Sequence, residues 1–80
     1  WEQWLSAGAV CMNLVNGAHA LGYGAQWLTG WHAYDENATA LLGLAGGEKI
    51  AGVILIGSVA EPAGPRPRVS VAEAVTDLDL

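Results

Sequence analysis

Residues 49–57 read KIAGVILIG, an aliphatic run without polar alternation. A strand with one face in water alternates apolar and polar side chains, whereas a strand buried on both faces reads as a continuous apolar run. The run therefore predicts a central strand over about 49–57, in the middle of a sheet covered by helices.

The stretch before this strand predicts a long helix and a shorter strand. Residues 1–21 contain no proline, and their large apolar residues fall at spacings of three, four and seven. The remaining positions carry mostly small or uncharged residues, which is typical of a buried core helix over about 2–21. Gly22 is placed to end this helix in the left-handed conformation. Residues 25–29 (AQWLT), bounded by glycines, predict a strand.

Two further segments complete the predicted organisation. Asp35 is placed to cap a short helix over about 35–43. Residues 61–80 predict an extended arm and tail, because three prolines fall in its first part, with one helical turn over 71–75.

The composition is unusual for so small a chain. Of the 80 residues, 52% are apolar and 14% are charged, against about 25% charged in an average globular domain. Two predicted strands do not complete a sheet, and the chain begins at Trp1. We therefore expect protein outside this chain to cover part of its surface, and we expect the chain to be a piece of a longer protein.

The charge balance and the single cysteine exclude several classes of protein. Three basic and eight acidic residues give a net charge of −5, which provides no basic surface for a phosphate backbone, so we expect no nucleic-acid partner. Cys11 has no second cysteine to pair with, which is compatible with a reducing compartment. Asn13, Asn16 and His19 would face hydrocarbon in a membrane-spanning helix. No signal-peptide pattern precedes the first helix, so the sequence predicts a cytoplasmic protein without a membrane partner.

Three catalytic or binding patterns fail on inspection. Gly22-Tyr23-Gly24 follows a predicted helix, whereas a dinucleotide-binding motif follows a strand, and Trp27 occupies the position of the motif's third glycine. It is therefore not a dinucleotide-binding motif. His19 and His32 lack further ligands at metal-binding spacing. No Ser-His-Asp or Cys-His arrangement is evident. The sequence predicts no metal site and no side-chain nucleophile.

Two segments admit both a structural and a binding interpretation. Trp27-Leu28-Thr29-Gly30 is either the end of a strand or a segment whose backbone amides meet a planar ligand, with Trp27 and Leu28 adding apolar contact. Arg66 and Arg68 are either solubilising charges or an anion clamp, since alternate positions of an extended chain face the same side.

Several motifs, taken in order and with their spacing, resemble the FMN-dependent nitroreductase family. The similar segments are SAGAVCMN at 6–13, AHALGYG at 18–24, WLTG at 27–30, ALLGL at 40–44, KIAGVILIG at 49–57 and AEPAGPRPR at 60–68. The resemblance covers nearly all of the chain and corresponds to the C-terminal part of the family's single domain.

The resemblance implies an α+β fold with a central mixed sheet flanked by helices, in an intertwined homodimer with FMN at the subunit interface. It implies an oxidoreductase in which hydride passes from NAD(P)H through flavin N5 to a nitroaromatic, a quinone or a similar small acceptor. The flavin carries that chemistry, so no catalytic side chain is expected. By position, Trp27, Leu28, Thr29 and Gly30 match the segment along the flavin ring, and Arg66 and Arg68 match basic residues near its phosphate.

The family's N-terminal, arginine-containing flavin-binding stretch does not occur in these residues. We therefore expect the isolated 80-residue chain to be inactive, not to fold independently and to retain FMN poorly. Two alternatives remain open: a flavin-free interaction module that dimerises through residues 1–22, and a small membrane-associated peptide that uses the apolar helix.

Overall fold

The computed structural model describes residues 1–79 and contains both helices and strands. The elements, in chain order, are helix α1 (Glu2–Ala20), strand β1 (Gly24–Leu28), a 3-10 turn (Trp31–Ala33), helix α2 (Glu36–Leu41), strand β2 (Val53–Gly57) and helix α3 (Val71–Ala74). The predicted α+β class is confirmed.

Helix α1 ends in the manner that the sequence predicts. Gly22 has a φ of 88°, in the left-handed region that glycine adopts without steric cost. Its N–H donates to the carbonyl of His19 at 3.0 Å, and the N–H of Tyr23 donates to the carbonyl of Ala18 at 2.9 Å. This pair of bonds is a Schellman motif. It closes the helix and turns the chain directly into β1.

Strands β1 and β2 form a two-stranded antiparallel sheet against which α1 packs. The register runs from Gly24 opposite Gly57 to Leu28 opposite Val53. The predicted strand over 49–57 is therefore too long, because only 53–57 is strand. Residues 49–52 have no strand partner, since β1 ends opposite Val53.

The predicted burial of the long helix and of the central strand is wrong for the chain by itself. Val15, Ala18 and Ala33 are its buried apolar residues, whereas Val10 is 65% exposed and Leu55 is 54% exposed. Two strands cover only one side of α1, and nothing in residues 1–79 forms a layer on the other side of the sheet. The accessible surface of 7073 Å² compares with about 4,600 Å² for a compact monomer of this mass.

Both short helices begin at a side-chain cap; the sequence predicts the one at Asp35 and not the one at Ser70. The side chain of Asp35 accepts a hydrogen bond from the N–H of Ala38 at 2.9 Å, and α2 is two residues shorter than predicted at its C-terminal end. Helix α3 begins with a capping box between Ser70 and Glu73. The arm before it, residues 61–69, is exposed and has no regular secondary structure. Within residues 1–79, none of the helices has the length and apolarity that crossing a bilayer requires.

Candidate functional site

The segment Trp27–Gly30 marks the point where the chain leaves the sheet. Trp27 and Leu28 are the last two residues of β1, and Thr29 and Gly30 connect the strand to the 3-10 turn. Leu28 and Gly30 are half-buried, whereas Thr29 is exposed. The predicted ligand-contacting segment thus consists of a strand end, held in place by the sheet, and a two-residue connection that lies outside the sheet.

The backbone amides of this connection have no acceptor within residues 1–79. The N–H groups of Thr29, Gly30 and Trp31 take part in none of the hydrogen bonds of that part of the chain. The carbonyl of Gly30, by contrast, accepts from the N–H of Ala33 at 2.9 Å. Thr29 and Trp31 are exposed, so their N–H groups are open to water. These consecutive N–H groups are available to the acceptor atoms of a bound ligand.

His32 lies beside this connection and was missed as a site residue by sequence reasoning, which considered it only as a metal ligand. Its ring packs over Gly30, where an added Cβ would lie 3.2 Å from Cε1 and 3.4 Å from Nδ1. Its Nε2 is buried and has no hydrogen-bond partner within the described residues. Among residues 1–79 no three potential metal ligands cluster together. Buried polar atoms usually have a hydrogen-bond partner, either protein or ordered water, so Nε2 of His32 is open to such a partner.

The side chain of Trp27 contacts the backbone of the loop before β2. Its Nε1 donates to the carbonyl of Ala51 at 3.4 Å. The indole also lies against Gly52 and touches the position of Gly8 on α1. Trp27 is nevertheless 39% exposed. Only part of its ring is therefore free to contact a ligand.

Arg66 and Arg68 lie on the exposed arm. Within the described part of the chain, no hydrogen bond joins either guanidinium to another residue, the Trp27–Gly30 segment included. The two arginines are thus free to bind an anion, but the chain by itself does not assemble them with the strand end into one site.

A groove of about 620 Å³ lies between the start of α1 and the loop before β2. Trp4 and Lys49 line it together with Glu48, whose carboxylate accepts a hydrogen bond from the N–H of Ala45 at 2.7 Å. None of the predicted ligand-binding residues lines this groove. Its volume is within the range of small-molecule sites, and it adjoins the candidate site at Ala51, whose carbonyl accepts the hydrogen bond from Trp27.

Comparison with known protein families agrees with the resemblance noted in the sequence. The model of the nitroreductase family matches residues 1–58, well over half of the chain, and the chain therefore belongs to that family. It is a family of oxidoreductases that generally use flavin cofactors. The match includes the Trp27–Gly30 segment and ends before the arm that carries Arg66 and Arg68. No curated protein matches the chain.

Proposed function

We propose that the chain is the C-terminal portion of an FMN-dependent NAD(P)H oxidoreductase that reduces a nitroaromatic, a quinone or a similar small acceptor. The observation that carries this proposal is the set of free backbone donors at Thr29 and Gly30, within the part of the chain that matches the nitroreductase family. The sequence suggests no side-chain nucleophile with its base, and no group of three potential metal ligands occurs in residues 1–79.

FMN fits these residues in two places. The amides of Thr29 and Gly30 would donate to acceptor atoms of the flavin ring, with apolar contact from Trp27 and Leu28. Arg66 and Arg68 would pair with the phosphate, since a guanidinium binds phosphate through two parallel hydrogen bonds. When bound, FMN supplies the transfer of reducing equivalents from NAD(P)H to the acceptor. Backbone donors aimed at the ring would stabilise the negative charge that it gains on reduction.

The same proposal includes a homodimer in the cytoplasm. Apolar residues along α1 are exposed, among them Leu5 (57%) and Val10 (65%). The radius of gyration is 16.6 Å, against about 12 Å for a compact domain of this length. A second subunit and the remainder of the same protein would cover this surface and supply the rest of the flavin pocket.

The test is to express the protein as its gene encodes it, including any residues that flank the chain, and to measure bound flavin and turnover. We expect about one FMN per subunit, and oxidation of NADH or NADPH that depends on an added nitroaromatic or quinone. A protein that contains no flavin and oxidises neither nucleotide would contradict the proposal.

A flavin-free module that dimerises through α1 is the second candidate, and the exposed apolar side of that helix favours it. The same preparation separates the two. A stable dimer that neither contains nor binds FMN supports the module, whereas a flavin-containing dimer supports the oxidoreductase.

A further inference from the structure

The indole of Trp27 occupies space that exists only because residue 52 is glycine. A Cβ placed on Gly52 would overlap the Nε1 and Cδ1 atoms of Trp27 and would lie 3.1 Å from Cε2. The hydrogen bond from Nε1 to the carbonyl of Ala51, at 3.4 Å, fixes the ring in this position. No other amino acid at position 52 leaves room for the ring as it lies.

The far edge of the same indole reaches α1. A Cβ on Gly8 would lie 3.6 Å from the Cη2 atom of Trp27, an ordinary van der Waals contact. Trp27 therefore joins three parts of the structure: β1, to which it belongs, the helix and the loop before β2. These contacts are independent of the backbone pairing between the strands.

We propose that Trp27 and Gly52 form a positioning pair that fixes where β1 ends and hence where the amides of Thr29 and Gly30 point. Thr29 follows Trp27 by two residues. Leu28, which lies between them, forms the last strand pair with Val53 of β2. Displacement of the indole moves this strand end with it. The consequence for flavin binding rests on the proposed function, whereas the coupling between residues 27 and 52 does not.

The experiment compares Gly52→Ala with Gly57→Ala, in the unaltered protein and in a Trp27→Leu background. Gly57 is a matched control because it lies in β2, its φ is not positive, and an added Cβ would meet nothing within 4 Å. Hydrogen exchange of the flavin-free protein is followed by mass spectrometry in peptides that cover residues 24–30 and 10–20. The dissociation constant for FMN is measured in parallel.

The positioning pair predicts a local effect that disappears in the double variant. In Gly52→Ala, the amides of residues 24–30 exchange about tenfold faster, the scale expected for overpacking of a closely packed contact, while the exchange of residues 10–20 is unchanged. In Gly57→Ala, both peptides exchange as in the unaltered protein. In the Trp27→Leu background, Gly52→Ala adds no further change. FMN binds Gly52→Ala about tenfold to a hundredfold more weakly, because a small displacement of a contacting group has an effect of this order.

Two results would overturn the pairing: faster exchange spread evenly over both peptides, or an effect of Gly52→Ala that persists without the indole. If Gly52→Ala does not fold, Trp27→Phe is used, which removes the bond to Ala51 without adding volume. Faster exchange of 24–30 then supports the pair, and unchanged exchange overturns it. An unaltered protein that binds no FMN contradicts the proposed function only, since the exchange measurement needs no flavin.

Discussion

Leu28 and Val53 are the last paired residues of the two-stranded sheet. Beyond them the chain leaves the strand at Thr29 and enters a 3-10 turn at Trp31. The sheet therefore does not use the N–H groups of Thr29 and Gly30, and the turn uses the carbonyl of Gly30 but neither of these N–H groups. The end of this pairing is what leaves donors available at the place where the family resemblance puts the flavin ring.

A proline at position 29 tests whether the Thr29 amide donates to the flavin. Proline has no N–H and restricts the preceding residue to extended backbone, which Leu28 already adopts as a strand residue. We expect Thr29→Pro to weaken the binding of oxidised FMN and of oxidised riboflavin by about threefold to tenfold, the size of a lost hydrogen bond to a neutral acceptor. The measurement is fluorescence titration of the flavin-free protein with each ligand.

Thr29→Ala is the matched control, because it keeps the N–H and removes only the exposed side chain. It should bind both flavins as the unaltered protein does. Equal affinities in the proline and alanine variants would show that this amide does not contact the ring.

Neutralising the two arginines of the arm separates phosphate binding from ring binding. We expect the double variant Arg66→Gln with Arg68→Gln to bind FMN at least about tenfold more weakly, since charge-assisted hydrogen bonds to phosphate are lost. Riboflavin lacks the phosphate, so its affinity should not change. The same titration, with Lys49→Gln as a control for the loss of positive charge, gives the comparison. An unchanged FMN affinity would make the arginines solubilising charges.

The sequence was sufficient for the local elements because their signals are local. Gly22 lies at a helix end followed by a tight turn, and Asp35 precedes the first residues of a short helix, so their roles depend on near neighbours alone. The excess of strand over 49–52 had a different cause. The aliphatic run gives no sign that β1 ends opposite Val53, nor that the carbonyl of Ala51 is taken by Trp27.

Burial and the arrangement of the site were less accessible to sequence reasoning. The apolar pattern of α1 predicts a buried helix, but it does not show which of its residues stay exposed when only β1 and β2 pack against it. The buried Nε2 of His32 follows from the packing of its ring over Gly30, which only coordinates reveal. For Arg66 and Arg68, extended spacing predicts a common side but not a distance to the strand end.

The cap of α1 predicts opposite effects for two glycines of similar surroundings. An added Cβ meets nothing within 4 Å at either Gly17 or Gly22, but only Gly22 has a positive φ. Gly22→Ala should therefore lower the free energy of unfolding by about 1 kcal/mol. Gly17→Ala, inside the helix, should leave it unchanged or raise it by up to about 1 kcal/mol. Urea unfolding of the protein as its gene encodes it, followed by circular dichroism, measures the free energy of unfolding of both variants. Equal effects of the two substitutions would contradict the left-handed cap.

The capping box of α3 predicts that the stability of this helical turn depends on pH. The hydrogen bond from the Ser70 hydroxyl to Glu73 (2.8 Å), and then the bond from the Ser70 backbone N–H (3.1 Å), hold the pKa of that carboxyl below its usual range. A lowered pKa in the folded state means that the cap stabilises the helical turn above the ordinary carboxyl pKa. This stabilisation is lost as the pH falls through the lowered value.

An NMR titration of the Glu73 carboxyl carbon checks this expectation. Ser70→Ala removes the hydroxyl and should raise the pKa of Glu73 toward its ordinary value, while Ser70→Thr keeps a hydroxyl and should leave it low. A pKa of Glu73 that is the same in all three proteins would show that the capping box does not form in solution.

The flavin content of two proteins tests the central claim most directly: the 80-residue chain alone, and the protein as its gene encodes it. Both are purified in the presence of excess FMN, and the flavin that stays bound after gel filtration is measured by visible absorbance. We predict about one FMN per subunit in the encoded protein and almost none in the chain alone, because the proposed pocket needs residues from outside this chain. Stoichiometric flavin on the 80-residue chain, or none on either protein, would contradict the account.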